Sequence, residues 1–233
     1  MNKQKKIIIG VWALLVTMMV GYALFSETIT INGTATAKGE FNMEITSASI
    51  TNEVGSTGAT AEISDNGNTL IITVPHLEYP GAYVDVSFNI TNNGSIPALY
   101  KGINVIGIDK TFTRNSTNAI RLSGTIDDFY YEPSDTYSET VRIFWKGAIN
   151  KTEEESATAI ITLNYIQVND KEDACAKATE LVDQVASCTA SSSSCTNYDN
   201  MDFDLNGLIN VSDTSFVKSK AKEKLCAEIA TTN

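Results

Sequence analysis

The chain has 233 residues, with 28 acidic and 17 basic side chains and a net charge of −11, and it is long enough for one large core or two ordinary ones. Such an acidic surface disfavours nucleic acid and anionic membrane as partners, and suits an exported, calcium-rich setting. His76 is the single histidine, which leaves little room for a His-based zinc site or a Ser–His–Asp triad. Beside Pro75, it reads as part of a loop at a strand end.

The chain opens with a basic stretch, Lys3-Gln4-Lys5-Lys6. Nineteen apolar or small residues follow, from Ile7 to Phe25. This is a signal peptide or a retained membrane anchor over 1–25. Cleavage would follow Ala23 or fall near Ala35-Thr36-Ala37. Removal takes away three lysines and brings the net charge to −14. Either way, the rest of the chain is expected outside the cytoplasm, extracellular or at the cell surface.

Tyr22-Ala23-Leu24-Phe25-Ser26-Glu27-Thr28 and the following Asn32 to Gly39 resemble the signal segment of exported TasA/camelysin-type proteins of Gram-positive bacteria. There, an A-x-F-S/T-D/E element ends the apolar run. A first strand of the form G-x-(F/L)-x-(L/V/M)-x-(I/F) follows, here Gly39 to Ile45. The resemblance implies a dedicated signal peptidase and a jelly-roll-like sandwich. Some members form extracellular fibres, an N-terminal strand completing the sheet of the next subunit. Thr28-Ile29-Thr30-Ile31 would take that part, or would be an ordinary edge strand or spacer.

Over 26–168 the pattern is that of strands. Thr69 to Val74 is β-branched and apolar, bounded by Asn66-Gly67-Asn68 and Pro75. Tyr83 to Asn92 alternates strictly, placing Val84, Val86, Phe88 and Ile90 on one face. Further runs lie at Leu99 to Ile108, Ala119 to Ile126, Tyr137 to Trp145 and Ala157 to Val168. Val141, Ile143 and Trp145 share a face. Eight or so strands without a long helical period predict a β-sandwich, jelly-roll or immunoglobulin-like. The turn Asn92-Asn93-Gly94-Ser95-Ile96-Pro97-Ala98 adds to the TasA/camelysin resemblance. Camelysin-type proteins have been described as peptidases, but this chain has no H-E-x-x-H. Asp127-Asp128 and Glu153-Glu154-Glu155 read as solvated loop charges. Tyr130, Tyr131, Tyr137 and Trp145 are either core residues or a carbohydrate platform.

At Asn169 to Asp173 the pattern turns helical, which opens a second domain over 169–233. From Ala174 to Ser187, the residues Ala178, Leu181, Val182, Val185 and Ala186 share one helical face. Ser187 to Ser194 is a Ser-rich break. From Asp213 to Ile229, Val217, Ala221, Leu225 and Ile229 form a stripe, with Phe216 beside it and lysines 218, 220, 222 and 224 outward. Two such helices are expected to pack antiparallel. All four cysteines lie here, and an exported chain with an even number reads as disulfides. Antiparallel packing brings Cys175 and Cys226 together and leaves Cys188 with Cys195. A Cys₄ zinc site is the rival, and it lacks C-x₂-C pairs.

Between the helices lies Asp202-Phe203-Asp204-Leu205-Asn206-Gly207-Leu208-Ile209-Asn210-Val211-Ser212-Asp213. Oxygen side chains fall at positions 1, 3, 5, 9 and 12, with Gly at 6. That is the spacing with which a short loop wraps Ca²⁺, which takes six to eight oxygens at about 2.3–2.6 Å. Asp202, Asp204, Asn206, the Leu208 carbonyl, Asn210 and Asp213 are the candidate ligands. A polar turn with Asp213 as helix N-cap is the alternative. The loop and following helix resemble one half of a dockerin, D-x-N-x-D-G-x-I/V-N-x-x-D, followed by a helix with Lys near its start. The resemblance implies a cohesin-like protein partner meeting Val211, Ser212, Lys218 and Ser219. A dockerin has two such repeats, and this chain has one.

No nucleophile, base and orienter come together in the sequence, so a non-enzymatic protein is expected. The expected function is that of a secreted cell-surface or matrix component, stabilised by Ca²⁺ and self-assembling or binding a protein. The alternative is a cellulosome-type component that docks to a cohesin-like partner and has a carbohydrate-binding sandwich.

Overall fold

Residues that alternate with period two build the middle of the chain into two layers. The computed structural model describes residues 39–111, 118–147, 155–190 and 199–230. The leading apolar run, its cleavage sites, Thr28 to Ile31, Glu153, Glu154 and Cys195 lie outside the described residues. One five-stranded sheet has the order β1 (Met43–Val54), β4 (Tyr83–Asn92), β9 (Thr136–Trp145), β7 (Ile120–Thr125) and β6 (Asp109–Lys110). The other has the order β2 (Thr60–Ile63), β3 (Thr69–Leu77), β10 (Glu155–Gln167), β5 (Ala98–Ile106) and β8 (Tyr130–Tyr131). The pairs are antiparallel except the short β6–β7 contact. Val84, Val86, Phe88 and Ile90 of β4 all point inward, as do Val141, Ile143 and Trp145 of β9. They meet Leu70, Ile72, Ile103, Ile161 and Leu163 of the facing sheet in one apolar core. This is the expected β-sandwich with a small helical C-terminal part.

The strand boundaries differ from expectation most in the first and third strands. The first strand begins at Met43 rather than Gly39. The carbonyls of Glu40 and Asn42 are instead taken by the N–H groups of Asn93, Gly94 and Ser95, so this stretch clamps the turn after β4. β3 runs on through Pro75 and His76 to Leu77. The opposing β10 shifts register between Glu155 and Ala157, so Pro75 sits where no ladder bond is needed. His76 is therefore a strand residue, its Nε2 3.2 Å from Thr57 Oγ1. Tyr131 and Trp145 are fully buried, and Tyr137 meets Tyr131 edge-on at 5.1 Å. Tyr130 and Tyr137 are half-buried.

Glu139 lies on the inward face of β9, in line with Val141, and is 6% exposed. Its Oε1 accepts the N–H groups of Asp127 and Asp128, at 3.0 and 3.2 Å, and so holds the loop before β8. Burial pushes its carboxyl up to about 7, against the pull of those two N–H groups. A carboxyl raised on folding stabilises most below its unfolded pKa. Between that value and about 7, only the folded chain keeps the proton, so stability falls as pH rises. The full shift corresponds to roughly 3 kcal/mol, and partial solvation of the group reduces this to about 1–2 kcal/mol. Urea unfolding is expected to show that loss between pH 4.5 and 7 as a steeper fall in the wild type than in Glu139→Gln. Equal slopes for the two proteins would refute the assignment.

The helical part opens where the composition changes. α1 (Lys171–Ala190) is started by Asp170, whose Oδ1 accepts the Asp173 N–H at 2.9 Å. Ala174, Ala178, Leu181, Val182 and Val185 are buried. The second helix runs through α2 (Val211–Val217), a π-helical turn (Lys218–Glu223) and α3 (Lys224–Ala230). Its stripe Val217, Ala221, Leu225 repeats every four residues, which drifts around a regular α-helix. The wider i→i+5 turn keeps all three buried on one side. A disulfide joins Cys175 to Cys226, as the antiparallel arrangement requires. Cys188 is also disulfide-bonded. Two of the four lysines expected to face outward bridge to the sandwich instead: Lys220 to Asp127 at 2.9 Å and Lys224 to Asp128 at 3.4 Å. Asp127 and Asp128 are therefore ion-paired rather than merely solvated. Among the described residues, no helix is long and apolar enough to cross a membrane.

Candidate metal centre

The Asp202 to Asp213 loop enters from a 3₁₀ turn (Asp199–Met201) and leaves into α2. Asp202, Asp204 and Asp213 come together, one carboxylate oxygen from each lying within 4.8 Å of the others. Asp202 is 2% exposed and Asp213 fully buried. Two left-handed residues let the loop close. Gly207 has φ 90°, where a Cβ is disfavoured, and its N–H reaches Asp202 Oδ2 at 2.8 Å. Leu205 has φ 49° despite its side chain, a strain of about 1 kcal/mol that its complete burial offsets.

Backbone N–H groups line the inside. Asp202 Oδ1 accepts from Asn206 at 3.0 Å. Asp213 Oδ1 accepts from Phe203 at 2.8 Å and Asp204 at 3.3 Å, and its Oδ2 from Asn210 at 2.9 Å. Asn206 Oδ1 accepts the Leu208 N–H at 2.8 Å. Asn210 rather than Asp213 is the N-cap of α2: its Oδ1 takes the Ser212 N–H at 2.7 Å, and Asp213 returns the contact from position N3. The Asn210 amide also donates to the Leu208 carbonyl at 3.1 Å.

Three clustered carboxylates repel one another. Burial pushes Asp213 up to about 6, with Asp204 and Asp202 adding to the rise. Burial also raises Asp202, against the pull of Lys110. The Lys110 ammonium lies 2.8 Å from Asp202 Oδ2, so the cradle already attracts one cation. Clustered carboxylate oxygens, partly dry and net negative, suit a hard divalent ion. Asp202, Asp204 and Asp213 form a cluster that could hold a metal ion.

Spacing alone does not reveal what surrounds the loop. Phe203 is fully buried, its ring 5.7 Å from both Tyr100 and Phe129 of the sandwich. Phe129 in turn meets Phe216 of α2 at 6.1 Å. At Gly102 of β5, a Cβ would collide with the Asn200 carbonyl, so the 3₁₀ turn lies directly on that strand. The loop thus turns its acids inward and Phe203 and Leu205 into the shared core. Lys110 and Phe203 were not among the residues expected at the site. The alternation Asp-Phe-Asp-Leu is the one sequence signal for the covered side. Val211 is 70% exposed, and Ser212, Lys218 and Ser219 are exposed beside it.

Fold and site define a β-sandwich that carries a disulfide-tied pair of helices with an acidic, metal-type loop between them. No family model matches the chain, and no curated protein matches it.

Proposed function

We propose that this is an exported, non-enzymatic protein of the cell surface or extracellular matrix, whose helical part is stabilised by one Ca²⁺. The gathering of Asp202, Asp204 and Asp213 around the inside of the loop carries the calcium reading. Asp202, Asp204, Asn206, the Leu208 carbonyl and Asp213 would hold the ion, while Asn210 stays with the helix cap. Bound there, Ca²⁺ would neutralise the carboxylates and tie α2 to the 3₁₀ turn. The basic and apolar leader and the disulfide support export.

Calorimetric titration of the full chain tests the reading. At a hundredfold excess over its dissociation constant, calcium is expected to stabilise by about 2.7 kcal/mol. Asp204→Asn removes a ligand charge without orphaning a buried group, and is expected to lose most of that gain. No calcium-dependent shift in the wild type would end the calcium reading.

A second reading is docking to a cohesin-like partner. One observation favours it: the exposed apolar Val211 sits at the helix start, flanked by exposed Ser212, Lys218 and Ser219. Calcium-dependent capture of a cohesin by the full chain would favour docking. Filaments of the purified protein would favour self-assembly.

A further inference from the structure

We propose that Lys110 is a built-in cation that sets the affinity of the acidic loop for its metal. The inference rests on the calcium reading above and names a residue that controls it. Lys110 belongs to β6 of the sandwich, far in sequence from the loop. Its Nζ lies 2.8 Å from Asp202 Oδ2, and the two side chains are 14% and 3% exposed. A long ammonium side chain is seldom so covered unless it is paired. Asp202 is loop position 1, and the same oxygen accepts the Gly207 N–H at 2.8 Å. The ammonium therefore joins the hydrogen bond that closes the turn.

Two effects follow from this placement. Without metal, the ammonium offsets the repulsion among Asp202, Asp204 and Asp213, so the loop keeps its turn before an ion arrives. With metal, the ion meets a net loop charge of about −2 instead of −3, and shares Asp202 with a second cation. Affinity in oxygen-ligand loops falls as their negative charge is reduced, so Lys110 weakens this loop's hold on the ion. The ammonium also couples the ion to the sandwich, because β6 lies in the first sheet.

A purely structural role for Lys110 predicts the opposite sign. If the ion pair only docks the loop, removing it loosens the ligands and weakens binding. Calcium titration of the full chain at fixed ionic strength separates the two roles. Lys110→Met and Lys110→Gln are expected to bind at least tenfold more tightly than the wild type, and to melt at a lower temperature in chelator. Lys110→Arg keeps the charge and is expected to bind like the wild type. Unchanged or weaker affinity in both neutral variants overturns the proposal, as does equal tightening in Lys110→Arg. Should a neutral variant fold only with calcium, competition against a chelator from the loaded protein gives its affinity on the same criterion. If the wild type does not bind calcium, the calcium reading fails and the proposal fails with it.

Discussion

Asp213→Ala is expected to destabilise the chain by about 3–5 kcal/mol, even in chelator. Its carboxylate is fully buried and accepts the N–H groups of Phe203, Asp204 and Asn210. Truncation orphans those donors, at about 1–3 kcal/mol for each that water cannot reach. It also removes the N3 half of the α2 capping box. Asp213→Asn keeps one acceptor oxygen and is expected to lose less. Urea unfolding in chelator measures both variants. A loss under about 1 kcal/mol for Asp213→Ala would mean that the carboxylate matters only with metal bound. Asp204 differs, since its partners are the N–H and amide of Asn206, within the half-exposed turn.

Phe203→Ala is expected to cost about 3–5 kcal/mol, as emptying a buried aromatic site does. The ring fills the seam where Tyr100 and Phe129 of the sandwich meet the loop. In the wild type, Trp145 fluorescence and helical circular dichroism are expected to report one shared transition, since one core runs through both parts. In Phe203→Ala the helical signal is expected to melt first, because the seam has lost its central contact. The disulfide still holds α1 to α3 in that variant, so the early transition would reflect undocking from the sandwich. Coincident melting of both signals in Phe203→Ala would refute this account of the seam.

Both results turn on how the loop is held, and here sequence and structure contribute differently. The strict alternation of Tyr83 to Asn92 made one face of β4 apolar in advance, and that face is the buried one. The oxygen spacing of Asp202 to Asp213 foresaw the acid cluster, because a loop of that length can bring those positions together in few ways. Placing Cys175 near the start of one helix and Cys226 near the end of the next foresaw their bond, given antiparallel packing. Glu139 was hidden by its pattern: it occupies an inward position of β9 that alternation assigns to an apolar residue. Its partners are backbone N–H groups of a loop, which side-chain spacing does not report.

Local order is written along the chain: strand faces, helix stripes, the composition change at Asn169 and a loop able to gather oxygens. Each follows from periodicity within a short window, where the chain's own geometry decides which side chains share a face. Long-range packing brings Lys110 to Asp202, Phe203 into the seam, and Lys220 and Lys224 to Asp127 and Asp128. Those contacts join residues distant along the chain, and no periodicity encodes them. They arise when the sheets and helices bury their apolar faces against one another, bringing the charges at the edges within reach.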